Sequence, residues 1–120
     1  MFTMLQTATI LLAITALGGL LMAAIRFTRK HNPPAWLAML HGLLAASGLT
    51  LLVYAIATQT VPAMATLSLL LFLLAAAGGA VLSLAYKWRQ RLLPIWLVVA
   101  HVIAAVIAFV LLLMAAFGHT

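Results

Sequence analysis

Acidic residues are missing altogether: the 120-residue chain has six Lys plus Arg and not one Asp or Glu, so its formal charge of +6 has no internal partner. Only 5% of residues are charged, against 68% apolar and a mean hydropathy of +1.33. A soluble domain carries roughly a quarter charged residues, so there is too little polar surface here to face water. Cysteine is also absent, which excludes disulfides, thiolate metal sites and cysteine nucleophiles. No positive charge precedes the first apolar run, the charges come after it, and the run is long enough to span, so it is expected to be a mature helix and not a signal peptide.

Four long apolar stretches remain, at about residues 4–25, 35–57, 63–86 and 93–117. A bilayer core of about 30 Å needs about 20 apolar residues per helix, and lipid offers the backbone no hydrogen-bond partner outside a helix. The predicted fold is therefore all-α, an integral membrane four-helix bundle over residues 1–120. Its connections are short and end in Pro33-Pro34, Pro62 and Pro94, positions suited to opening a helix because proline's missing N–H has no intrahelical acceptor there. Short connections make sequential helices antiparallel neighbours, an up-down-up-down order. The cations are confined to two clusters, Arg26 to Lys30 and Lys87 to Arg91. Confinement to two turns reads as a topology signal facing anionic headgroups, and not as a nucleic-acid surface. Both basic turns are then expected in the cytoplasm and both termini outside, most simply in a bacterial inner membrane.

The sequence repeats itself. At an offset of 60 residues and without a gap, Gly18-Gly19 meets Gly78-Gly79, Arg29 meets Arg89, Pro34 meets Pro94, Trp36-Leu37 meets Trp96-Leu97, His41 meets His101 and Ala45 meets Ala105. Leu and Ala coincidences mean little in this composition, but Gly-Gly, Pro, Trp and His in one register imply duplication of a two-helix unit, residues 1–60 and 61–120. Each unit crosses twice, so the copies share one orientation about an axis along the membrane normal.

His41 and His101 are the polar ionisable residues placed inside apolar helices, where such groups are costly and point to function. Either alone could be an interhelical hydrogen bonder. As a pair they sit at one depth, about 10 Å beyond the helix-opening prolines at 1.5 Å per residue, on helices expected to lie diagonally across the bundle. Two imidazoles without carboxylate or thiolate make a poor zinc site. Haem iron, in contrast, needs two axial ligands. Gly18, Gly19, Gly78 and Gly79 stand at the same depth on the first and third helices, and Ala45, Gly48, Ala105 and Ala108 follow the histidines on their own helix faces. Small residues there would leave room for a macrocycle; alternatively, the glycines form a close-packing seam.

In these features the chain resembles the membrane b-type cytochromes, above all the haem-bearing four-helix bundle of respiratory cytochrome b. The resemblance covers all four helices. It implies one haem b per chain, His41 and His101 as iron ligands, and Gly18, Gly19, Gly78 and Gly79 as clearance for its edges. Where that family places a second histidine pair further along the same helices, this chain has Ala55 and Ala115. One haem is therefore expected. The family's quinone-site segments are absent, and no carboxylate is present to take protons from a quinol.

Arg29 and Arg89 are candidates for contact with haem propionates, and Trp36 and Trp96 for interfacial anchors; His31 and His119 are expected to be solvated. Two nitrogen ligands leave iron no open position, which points to electron transfer more than to an enzyme, by a chain held in the lipid bilayer and acting as a small subunit or with a redox partner protein or small electron carrier. The competing reading is a cofactor-free scaffold or assembly subunit. A small exporter or channel has less support, because no charged residue lies at mid-membrane.

Overall fold

The computed structural model describes residues 1–118 and contains four helices: α1 (Met4–Arg29), α2 (Ala35–Thr58), α3 (Ala63–Val81) and α4 (Ile95–Phe117). A six-residue π-helical segment, Leu82–Lys87, continues α3. With that segment included, all four are long and apolar enough to cross a membrane. His119, expected to be solvated, lies outside the described residues.

The helix boundaries follow local chemistry. Thr3 caps α1: its hydroxyl accepts from the Gln6 N–H at 3.0 Å while the Gln6 side chain accepts from the Thr3 N–H at 3.1 Å, a reciprocal capping box that satisfies two otherwise orphaned donors. Pro34, Pro62 and Pro94 each occupy the position just before a helix. For the fourth helix this moves the start from the expected residue 93 to Ile95. The first helix runs one turn further than its apolar stretch, through Arg26 to Arg29, and stops at Lys30 in the left-handed region (φ 57°). Gln90, 60 residues later, has the same φ of 57°.

α1 packs mainly on α2 and α3 on α4, and smaller faces of α1 on α4 and of α2 on α3 close the ring. That leaves α2 and α4 diagonal. The Gln6 side-chain amide donates to the Ala116 carbonyl at 3.2 Å, joining the start of α1 to the end of α4. At the other end the two basic turns are tied together. Asn32 donates to the Arg91 carbonyl at 2.8 Å and accepts from the Leu93 N–H at 3.0 Å. Arg26, buried, donates from Nε to the Leu93 carbonyl at 2.8 Å, and Lys87 Nζ donates to the Pro33 carbonyl.

These last two bonds are counterparts. Pro33 and Leu93 are 60 apart, whereas Arg26 and Lys87 are 61 apart. The π segment resolves the mismatch. Its wider i→i+5 turn absorbs about one extra residue of helical phase, so Lys87 takes the angular position that its predecessor would hold in an α-helix.

Candidate functional site

Most buried apolar side chains fall into two clusters. Toward the chain ends, Leu5, Ala8, Leu12, Leu52, Ala55, Phe72, Ala108 and Leu112 form one core; toward the basic turns, Leu82, Leu93 and Val98 form a smaller one. Between them no residue is buried in α1 from 16 to 25, in α2 from 38 to 47, in α3 from 76 to 81 or in α4 from 99 to 107. All four helices thus lack a buried side chain in one common layer. The half-buried residues there include Gly18, Gly19, Ala45, Gly78, Gly79 and Ala105, all small.

His41 and His101 occupy that layer, both half-buried. Their ring centroids are 6.3 Å apart and the ring planes are inclined at 72°. Each ring is held in the same manner. His41 Nδ1 lies 2.9 Å from the Thr15 carbonyl oxygen, and His101 Nδ1 lies 2.6 Å from the Ala75 carbonyl oxygen. Thr15 and Ala75 are themselves 60 residues apart. A carbonyl can only accept, so both Nδ1 atoms carry the hydrogen, and in the neutral ring the lone pair is left on Nε2. Neither Nε2 has a hydrogen-bond partner, and no sealed side-chain nitrogen or oxygen lacks one among the described residues, so both Nε2 atoms border open space.

Gly19 and Gly79 make this arrangement possible. A Cβ on Gly19 would lie 2.8 Å from His41 Cε1, and one on Gly79 would lie 3.1 Å from His101 Cε1. These two glycines clear room for the imidazoles themselves. A Cβ on Gly78 would sit at ordinary contact distance, 3.8 Å from His101, and one on Gly18 would meet nothing within 4 Å.

The other residues singled out above are distributed as follows. Ala45 and Ala105 are half-buried at the edge of the histidine layer. Gly48 and Ala108 lie one turn deeper, within the packed core: a Cβ on Gly48 would come 2.7 Å from the Leu12 side chain, and the Ala108 carbonyl accepts the Ser68 hydroxyl at 2.7 Å. Ala55 is fully buried, and Ala115 is partly buried against the same core. Arg29 and Arg89 are exposed at the turn end, and Trp36 and Trp96 point outward, 67% and 68% exposed. His31 is exposed, its Nδ1 2.8 Å from the Asn32 carbonyl. The roles of the Thr15 and Ala75 carbonyls, of buried Arg26 and of Asn32 have no signature in the sequence. A carbonyl acceptor belongs to the backbone and leaves no mark on residue type.

A bis-imidazole metal can be tested against this geometry. With a metal–nitrogen distance of about 2.0 Å, imidazoles on opposite sides of one ion have ring centroids about 6 to 6.5 Å apart. The observed 6.3 Å meets that requirement. Donation of the second ring N–H to a backbone carbonyl is the usual support of a metal-ligating histidine. Among the described residues no group of three or more His, Cys, Asp or Glu is placed to hold a metal ion. Two imidazoles alone would suit only a metal that brings its remaining ligands with it, as haem iron does. No family model, curated protein or solved structure matches the chain.

Proposed function

We propose that this protein is a one-haem, bis-histidine membrane b-type cytochrome that passes electrons to or from a redox partner. The single observation that carries the reading is the pair of imidazoles whose Nδ1 hydrogens are committed to carbonyls and whose Nε2 atoms border a layer without buried side chains. His41 and His101 would hold the iron. Thr15 and Ala75 fix their tautomers and orientations, and Gly19 and Gly79 let the rings approach. When bound, haem b supplies one-electron redox chemistry. The apolar cores on either side exclude water from the layer, and Arg29 and Arg89 are the cations available to propionates near the turns.

The bundle is read as two tandem hairpins, residues 1–60 and 61–120, in up-down-up-down order, with the basic turns cytoplasmic and the termini outside, in a bacterial inner membrane. The offset of 60 supports this reading, since it relates the histidines, their acceptors and the left-handed residues Lys30 and Gln90.

A 6.3 Å edge-on pair also falls within the range of ordinary aromatic contacts, which favours the second reading, a cofactor-free scaffold. That reading gives no partner to either Nε2. The absorption spectrum of detergent-purified protein from haem-replete cells decides between them: a low-spin haem spectrum at one haem per chain is expected. A colourless protein that also takes up no added hemin overturns the cytochrome reading.

A further inference from the structure

A macrocycle bound between the histidines must first reach them, and both ends of the bundle are shut. The turn end is laced by Asn32, Arg26 and Lys87, with Leu82, Leu93 and Val98 packed beneath. The opposite end is a continuous apolar core closed by the Gln6–Ala116 bond. Access is therefore lateral, between helices.

The surroundings of the first glycine of each pair differ. In the second hairpin, Gly78 stands at contact distance from His101. In the first, its counterpart Gly18 has nothing within 4 Å of where a Cβ would be, and a cavity of about 290 Å³ opens between α1 and α2. Leu17, Gly18 and Leu21 line it from α1, and Leu40, His41 and Leu44 from α2. Leu17, Leu21 and Leu40 are 68%, 52% and 47% exposed. These flexible side chains form the mouth, and the glycine leaves no fixed Cβ behind it. His41 and Thr15 are the polar residues of the lining, and the Thr15 hydroxyl is already committed to the Leu11 carbonyl at 2.8 Å. The slot thus presents an apolar passage from the outer face of the bundle with one imidazole at its inner end.

We propose that this α1–α2 slot is the portal through which a metalloporphyrin enters from the lipid phase, so that His41 is the first ligand it meets and His101 the second. A planar apolar macrocycle bearing a metal matches both the apolar walls and the imidazole; a polar solute matches neither. The inference rests on the cytochrome reading. It also assigns the two histidines different kinetic roles despite their equivalent positions.

The test is the rate of hemin uptake by haem-free, detergent-solubilised full-length protein, followed by absorbance, with the end-point spectrum recorded separately. Gly18→Leu places a side chain in the slot, and Leu40→Trp narrows its mouth without touching the interior. Ala100→Trp, the counterpart of Leu40 on the second hairpin, is the matched control. Leu40→Trp is expected to slow uptake tenfold or more while reaching the wild-type low-spin end point, with Ala100→Trp at the wild-type rate; Gly18→Leu is expected to slow uptake to a similar degree. Should Gly18→Leu fail to fold, Leu40→Trp against Ala100→Trp still decides. One rate in all variants, or equal slowing by Ala100→Trp, overturns the portal and leaves the cytochrome reading standing. A wild-type chain that takes up no hemin overturns both.

Discussion

Adding one methyl group to each glycine of the histidine layer separates clearance for the imidazoles from ordinary helix packing. In Gly19→Ala the new Cβ would stand 2.8 Å from His41 Cε1, whereas ordinary van der Waals contact begins at 3.4 Å. The ring must retreat by about half an ångström, a move that takes it off its rotamer or away from its hydrogen-bond acceptor. Such a retreat takes the 2.9 Å bond to the Thr15 carbonyl to the limit of hydrogen bonding. Losing that bond costs about 0.5–1.5 kcal/mol, and an off-rotamer imidazole costs a similar amount. Together these predict hemin affinity weaker by about 1–3 kcal/mol, or roughly 5- to 150-fold. For Gly79→Ala the corresponding contact is 3.1 Å, so a smaller shift and a loss of under about tenfold are expected. Gly18→Ala meets nothing and should bind as the wild type does. All three variants make the same change of residue type within a helix, so intrinsic backbone effects largely cancel between them. The assay is hemin titration in detergent, read from the low-spin absorbance. Equal affinities for Gly18→Ala and Gly19→Ala, or the reverse order, would refute the claim that Gly19 makes room for His41.

Three further expectations follow from the same contacts. His41→Ala and His101→Ala should each abolish the low-spin spectrum while His31→Ala leaves it unchanged; a loss at only one of the two would contradict the paired site. Asn32→Ala removes both a donor to Arg91 and an acceptor for Leu93, so thermal unfolding should show a destabilisation of about 1–3 kcal/mol at roughly 1 kcal/mol per bond, and no change would mean that the turns are not braced through this residue. Because the chain has no cysteine, single Lys30→Cys and Thr58→Cys variants report topology cleanly: an impermeant maleimide applied to intact cells should label position 58 and spare position 30, and labelling at 30 alone would invert the assigned orientation.

Much of the architecture is written locally. Hydropathy, prolines at the helix starts and the lack of any acidic residue are enough to define four spans, since a backbone in lipid has no alternative to the helix. The four spans were legible for that reason, and so was the proximity of His41 and His101, which follows from counting along each helix. What lay beyond reach depends on rotational phase and on distance between helices. Gly18 and Gly19 are identical as letters, yet one faces open space and the other an imidazole edge, because 100° of helix rotation separates adjacent residues. Gly48 and Ala108 shared the histidines' helix faces in the sequence but lie one turn into the packed core. Arg26 belongs by composition to a basic turn, but an extra helical turn carries it inward to the Leu93 carbonyl. The π segment after Val81 ends at Lys87, whose Nζ donates to the Pro33 carbonyl across the bundle, a contact that no local sequence rule contains. Residue type alone determined that this chain forms four helices long and apolar enough to cross a membrane, with a histidine in the second and the fourth. Tertiary packing decided which ring nitrogen is left free, which glycine touches which ring, and that a cavity opens between α1 and α2 beside His41, since each of these is a distance between atoms far apart in the chain.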